Sequence, residues 1–98
     1  MEIEYRAHDL ARLETDASFS AGYATAIVTM FRKRIQLIRA ADDERQFYAL
    51  RSLHFEKLQG NRAGQHSMRL NDQWRLILEF KKLSTGKVVV VIEIADYH

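Results

Sequence analysis

Hydrophobic positions in the first half of the chain recur at helical spacing, and those in the second half alternate. In "EIEYR", Ile3 and Tyr5 fall on one side and Glu2, Glu4 and Arg6 on the other, which predicts a short strand. "HDLARLETD" predicts a turn or two of helix that buries Leu10 and Leu13. The strongest helix pattern is "SAGYATAIVTMFRKRIQLIRAA". Ser20 is its candidate N-cap, Ala24, Ile27, Val28, Phe31, Ile35 and Ile38 form the inward stripe, and Arg32, Lys33, Gln36 and Arg39 face water. "DDERQFYALRSL" predicts a further short helix capped by Asp42 or Asp43.

Beyond this point the period changes to two. "HSMRL" sets His66, Met68 and Leu70 against Ser67, Arg69 and Asn71. "WRLILEF" sets Trp74, Leu76, Leu78 and Phe80 against Arg75, Ile77 and Glu79, and "KVVVVIEIA" is apolar on both faces, as a central strand is. Parity constrains the hairpin between the first two. A two-residue turn would bring Met68 to the same face as Arg75, whereas a three-residue loop, Asn71-Asp72-Gln73, pairs Leu70 with Trp74 and Met68 with Leu76. That register sets Arg69 directly opposite Arg75. Like charges across a strand pair repel, so this face either holds an anion or borrows a carboxylate such as Glu79 or Glu93. The expected architecture is α+β: one domain spanning residues 1–98, with an N-terminal strand and two to three helices on one face of a mainly antiparallel sheet.

Composition narrows the class. Hydrophobic residues make up 47% and charged residues 29%, as in a folded globular domain. The longest apolar run, Val88 to Ile92, is far too short to span a membrane, and the charged start lacks a secretion signal, so a cytoplasmic protein is expected. Without cysteine, disulfides and thiolate metal sites are excluded. The net charge of +2 is unevenly spread, with five basic residues against two acidic ones between Arg51 and Arg75. Such an excess attracts a polyanion or makes a solvated basic face.

Candidate chemistry follows. "LQGNRAGQ" places Gly60 and Gly64 around Arg62, a combination that suits a phosphate but also any tight turn. "STGK" lacks the earlier glycine of a phosphate-binding loop and joins two strands, so it is discarded. The four histidines have no ligand spacing, and neither a metal nor a cofactor is expected. Trp74 belongs to an apolar alternation and reads as core, and His66 as a partly buried histidine at the sheet edge. The terminal Asp96, Tyr97 and His98 stand apart. Metal-free RNA cleavage needs a base for the ribose 2′-OH, positive charge on the phosphate and an acid for the leaving oxygen. An imidazole serves as acid or base, a phenol donates or stacks, and an aspartate orients the ring. As the last residue, His98 also keeps its α-carboxylate beside the ring. Arg62, Arg69 and Arg75 would supply the charge.

The run Leu58-x-Gly60-x-Arg62-x-Gly64, with Ser67, Arg69, Asn71, Trp74-Arg75 and the closing Asp96-Tyr97-His98, resembles the HigB branch of the RelE/ParE toxin superfamily, the plasmid maintenance killer proteins. The resemblance covers about the C-terminal half of the chain. It implies a RelE-like fold and a type II toxin that cleaves translated mRNA in the ribosomal A site. It also implies a helix-turn-helix antitoxin of the HigA type as partner, with operator DNA contacted only through that antitoxin. Asp96, Tyr97 and His98 match the family's catalytic end, and Arg62, Arg69 and Arg75 match its basic or structural positions. Some relatives carry a catalytic histidine and lysine where this chain has Glu56 and Gln59. His54 and Lys57 lie two residues earlier, an even shift compatible with the same strand face, and are candidate replacements. The alternatives are a ParE-like gyrase poison that does not cut RNA, and a decayed toxin that only binds its antitoxin or RNA.

Overall fold

A computed structural model describes residues 1–96; Tyr97 and His98 lie outside the described residues. Strand β1 (Glu2–Tyr5) is followed by helices α1 (His8–Thr15), α2 (Thr25–Ala40) and α3 (Arg45–Ala49). Strands β2 (Glu56–Lys57), β3 (Gln65–Arg69), β4 (Trp74–Leu83) and β5 (Gly86–Asp96) complete the chain. One five-stranded sheet results, in the order β1-β5-β4-β3-β2. β1 runs parallel to β5 and every other pair is antiparallel. The α+β architecture expected from the alternating and helical patterns is the one observed.

The helices pack on one side of this sheet. Leu10 and Leu13 of α1 and Ile27, Val28, Phe31, Ile35 and Ile38 of α2 meet Met68, Leu76, Leu78, Val89 and Val91 in a single core. Each such side chain, once removed from water, contributes roughly 1.5–3 kcal/mol, so α2 is held by its apolar stripe. Its C-terminal end is satisfied from elsewhere. The α-amino group of Met1 donates to the carbonyls of Ile38 (3.1 Å), Arg39 (3.0 Å) and Ala41 (2.7 Å), a cation at the negative pole of the helix. Arg32 serves α1 in the same way, donating to the carbonyls of Leu13 (2.9 Å), Asp16 (3.0 Å) and Phe19 (3.2 Å). It is therefore half-buried, where the sequence pattern had put it in water.

Two boundaries differ from expectation. Helix α2 starts at Thr25 after Ala24, with no side-chain cap, and Ser20 lies in the turn before it. Ala21 (φ 52°) and Gly22 (φ 83°) are left-handed, which no α-helix accommodates. Helix α3 starts after Glu44, and Asp43 still accepts the Arg45 amide through its side chain (2.8 Å). The β3–β4 register is the one that parity requires, with Met68 opposite Leu76 and Arg69 opposite Arg75.

The far side of the sheet carries only a small apolar patch of Leu58, Ile77, Ile92 and Ala95, with Val90 against it. A bulge reaches this face: Ile77 pairs with Glu93 but Leu78 with Val91, so Ile92 is an extra residue. It returns Ile94 to the helix side, although Ile92, two residues earlier, faces away from it. We call the patch side the open face.

Candidate active site

The β3–β4 hairpin and the end of β5 bring together residues distant in sequence. On the open face, Arg69 and Arg75 form the last paired row of β3 and β4, next to Ala95 of β5. His54 comes from the turn before β2 and reaches the same row. Its Nε2 lies 3.3 Å from Arg69 Nη1, and its backbone carbonyl accepts from Arg75 Nη1 at 3.2 Å. His54 holds this place in a left-handed conformation (φ 43°), unusual for a residue with a side chain. Asp72, in the hairpin loop, pairs with Arg69. The carboxylate beside Arg69 is thus a local one. Glu79 pairs instead with Arg6 (3.1 Å) and Glu93 with Arg62 (2.6 Å).

Asp96 lies one step beyond the arginine row, opposite Trp74, so it leaves the sheet on the helix side at the same end. Gln73 Nε2 donates to its Oδ2 at 3.0 Å. The catalytic residues expected at Tyr97 and His98 lie outside the described residues. Behind the row, Arg34 of α2 donates from Nε to the Arg69 carbonyl at 3.1 Å. Burial lowers the pKa of its guanidinium, yet an arginine starts so high that the charge remains. Helical spacing does not mark Arg34 as different from its exposed neighbours, and the carbonyl it serves lies 35 residues away in sequence.

Two expected site residues are placed differently. Arg62 sits in a single 3-10 turn and donates to Glu93 (2.6 Å) and Gln65 (3.1 Å). It adjoins the arginine row through Glu93, which pairs with Ile77 two residues along β4 from Arg75, but its charge is answered by a carboxylate. Lys57 is not brought to the cluster. Its partner across β2–β3 is His66, so the two side chains share the helix-side face, whereas Glu56 opposes the buried Ser67 on the open face. The Ser67 hydroxyl donates to Glu56 at 3.4 Å.

His66 is packed, stacking on Phe55 (centroids 5.2 Å apart) with Phe80 edge-on at 5.0 Å. Burial pushes its pKa below the usual imidazole value, with Lys57 adding to the shift and Glu44 opposing it. Its Nδ1 is buried without a hydrogen-bond partner among the described residues. At the other end of the sheet, Glu4, Arg6, Glu79 and Lys81 line a hollow of about 380 Å³. The pairs Arg6–Glu79 (3.1 Å) and Lys81–Glu4 (3.3 Å) leave no excess of either sign there.

Chemically, the arginine row offers an oxyanion two guanidinium groups with an imidazole at its edge. Solved structures similar to this fold include several toxins. A YoeB/ParE toxin from Agrobacterium tumefaciens superposes with a TM-score of 0.64 at 16% identity, covering 100% of both chains. YafQ from E. coli gives 0.56 at 13% identity over 97% of this chain and 91% of that one. The YoeB–YefM complex from Staphylococcus aureus gives 0.55 at 15% identity, covering 100% of this chain and 97% of that one. At these identities the likeness is one of fold. No curated protein sequence matches the chain. The family model for the RelE-like toxin of the type II toxin–antitoxin system HigB does match, over residues 3–98. Because that match runs along nearly the whole chain, and the fold is the one its structural neighbours share, the protein belongs to the HigB-like toxins of type II toxin–antitoxin systems.

Proposed function

We propose that this toxin is a metal-independent endoribonuclease that cuts translated mRNA in the ribosomal A site, and so acts in the bacterial cytoplasm. The observation that carries the reading is the gathering of His54, Arg69 and Arg75 in one row, next to the end of β5. Arg69 and Arg75 oppose each other across a strand pair, with Asp72 against Arg69, and a phosphate lying between the two guanidinium groups would be drawn to both. In the proposed reaction a base takes the 2′-OH proton, the 2′-oxygen attacks the neighbouring phosphorus, and an acid protonates the departing 5′-oxygen. Arg69 and Arg75 hold the charge that builds on the phosphoryl oxygens. His98 serves as acid or base, with Tyr97 and Asp96 beside it as donor and orienting carboxylate. His54 is the second imidazole. Arg62 and Lys57 are left outside this set: Arg62 positions β5 through Glu93, and Lys57 lies on the other side of β2.

A type II toxin has an antitoxin. We propose one of the HigA type, a helix-turn-helix protein through which alone the pair would reach operator DNA. The test is a map of the 5′ ends of a translated message after brief induction, with His98→Ala as the comparison. Cuts in register with codons, absent from the variant and absent when translation of that message is blocked, are expected. Growth arrest with intact messages would discard the nuclease and favour a gyrase poison. Normal growth with intact messages would leave an antitoxin-binding protein.

A further inference from the structure

Trp74 and Arg75 are consecutive, so they leave the end of the sheet on opposite sides, and the side away from the arginines is hollow. A cavity of about 400 Å³ is lined there by Ala21, Gly22, Tyr23, Ala24, Ile27 and Trp74. Tyr23 and Trp74 stand edge to face with centroids 5.8 Å apart. Asp96 pairs with Trp74 at the same end.

The room in this hollow comes from small residues held in a costly backbone. Four of the six lining residues are the consecutive Ala21-Gly22-Tyr23-Ala24. A Cβ built on Gly22 would meet nothing within 4 Å, so the glycine is not forced by packing against a neighbour. Among the described residues, only Ala21 and His54 are non-glycine residues at positive φ. One lines this hollow and the other touches Arg69, so both strained positions sit at the same end of the sheet. Strain of this kind persists where the surroundings impose it, and it gathers at ligand sites.

We propose that the hollow beside Trp74 receives an RNA base, turned around the end of the sheet from a phosphate held by Arg69 and Arg75. The inference rests on the RNA-cleaving reading above and adds a base-binding subsite to it. Aromatic faces accept any base by stacking. The arginine row next to the hollow is the reason for choosing a nucleotide over an apolar side chain of a partner.

Trp74 is the chain's only tryptophan, so its fluorescence reports the hollow directly. The titration uses a short single-stranded RNA and the same RNA with one abasic position, added to non-cleaving His98→Ala protein. Ala24 is exposed and lines the hollow, so Ala24→Leu fills the space without entering the core. Ala24→Ser is the conservative control, and thermal unfolding checks that both variants fold. Saturable quenching by the intact RNA is expected, with Ala24→Leu weakening that binding about tenfold while leaving the abasic RNA's affinity unchanged. Equal binding of the two RNAs, no binding of either, or an Ala24→Leu variant that binds as its parent does would overturn the subsite. If messages are still cut in cells under any of those results, the nuclease reading stands and the subsite falls alone. Base-dependent quenching with intact messages would keep the hollow and discard the cleavage.

Discussion

Glu14 joins three elements, and its loss has a size that the structure predicts. Its carboxylate accepts the Tyr5 hydroxyl of β1 at 2.7 Å and takes Arg39 of α2 as a two-pronged partner, Nε at 2.6 Å and Nη2 at 2.7 Å. The Glu14 side chain is 21% exposed and that of Arg39 is 47% exposed. A charge-assisted hydrogen bond contributes about 1.5–3 kcal/mol when shielded, and the half-exposed arginine reduces this towards the value of a surface pair. Counting the tyrosine bond, Glu14→Gln should cost about 2 kcal/mol. For a domain of this size that lowers Tm by roughly 8–16 °C. The pH dependence has a definite sign. Arg39 and the Tyr5 hydroxyl hold the Glu14 carboxyl below its usual value, against the opposing effect of burial. A carboxyl depressed by folding contributes its full stability above its unfolded value, about 4.3, and loses it as pH falls through the folded value. Chemical denaturation across pH checks both statements. The gap between wild type and variant should be full at pH 7 and should close in acid. A variant within about 0.5 kcal/mol of wild type at pH 7, or a gap that persists into strong acid, would refute the reasoning.

Two further substitutions separate stability from activity at the arginine row. His54→Gly removes the ring from Arg69 but relieves a left-handed φ that costs a side-chain residue about 1 kcal/mol. It should be more stable than His54→Ala and, if the proposed reaction holds, equally weak in mRNA cleavage; a glycine variant less stable than the alanine one would count against the strain. Arg34→Leu leaves the Arg69 carbonyl without its donor from α2 and should cost about 1–2 kcal/mol. Amide hydrogen exchange should speed up across residues 69–75 with little change in α1, and uniform acceleration would show that Arg34 holds the whole core instead.

What could be read from the sequence was whatever alternation or spacing controls. Parity alone put Arg69 opposite Arg75, because one face of β3 and β4 is buried and any slip would expose it. The helix-side core followed from the same rule and from the stripe of α2. Failures came where a single residue breaks the period. Gly22 sits inside the helical pattern and was the available sign that α2 starts later than Ser20. The extra residue at Ile92 reverses the faces of β5 without any mark in a run of Val and Ile. Strand β2 has two residues, too few to alternate, so the side on which Lys57 emerges depended on a pairing with His66 that only the fold supplies. Ion pairs were unreadable for the same reason. Glu79 follows Arg75 along β4 and Glu93 stands opposite Ile77 on β5, yet Arg6 takes one and Arg62 the other, from 73 and 31 residues away.

The location of the site can be argued from where the fold accepts unfavourable terms. The opposed arginines repel each other, and left-handed Ala21 and His54 each add strain. All three lie at the hairpin end of the sheet, in the arginine row and beside Trp74. A domain stable by about 5–15 kcal/mol tolerates a few such terms, each of order 1 kcal/mol, but packing gives no reason for them to fall together. At the opposite end the open face carries its charge as two acid–base pairs, Arg6 with Glu79 and Lys81 with Glu4, whereas the hairpin end sets two arginines across a strand pair with Asp72 against Arg69. The difference between the two ends lies in the arrangement of charge and strain. On the proposed reading, the phosphate of a nucleotide would lie against the arginine row and its base beside Trp74, at the end where both left-handed residues sit.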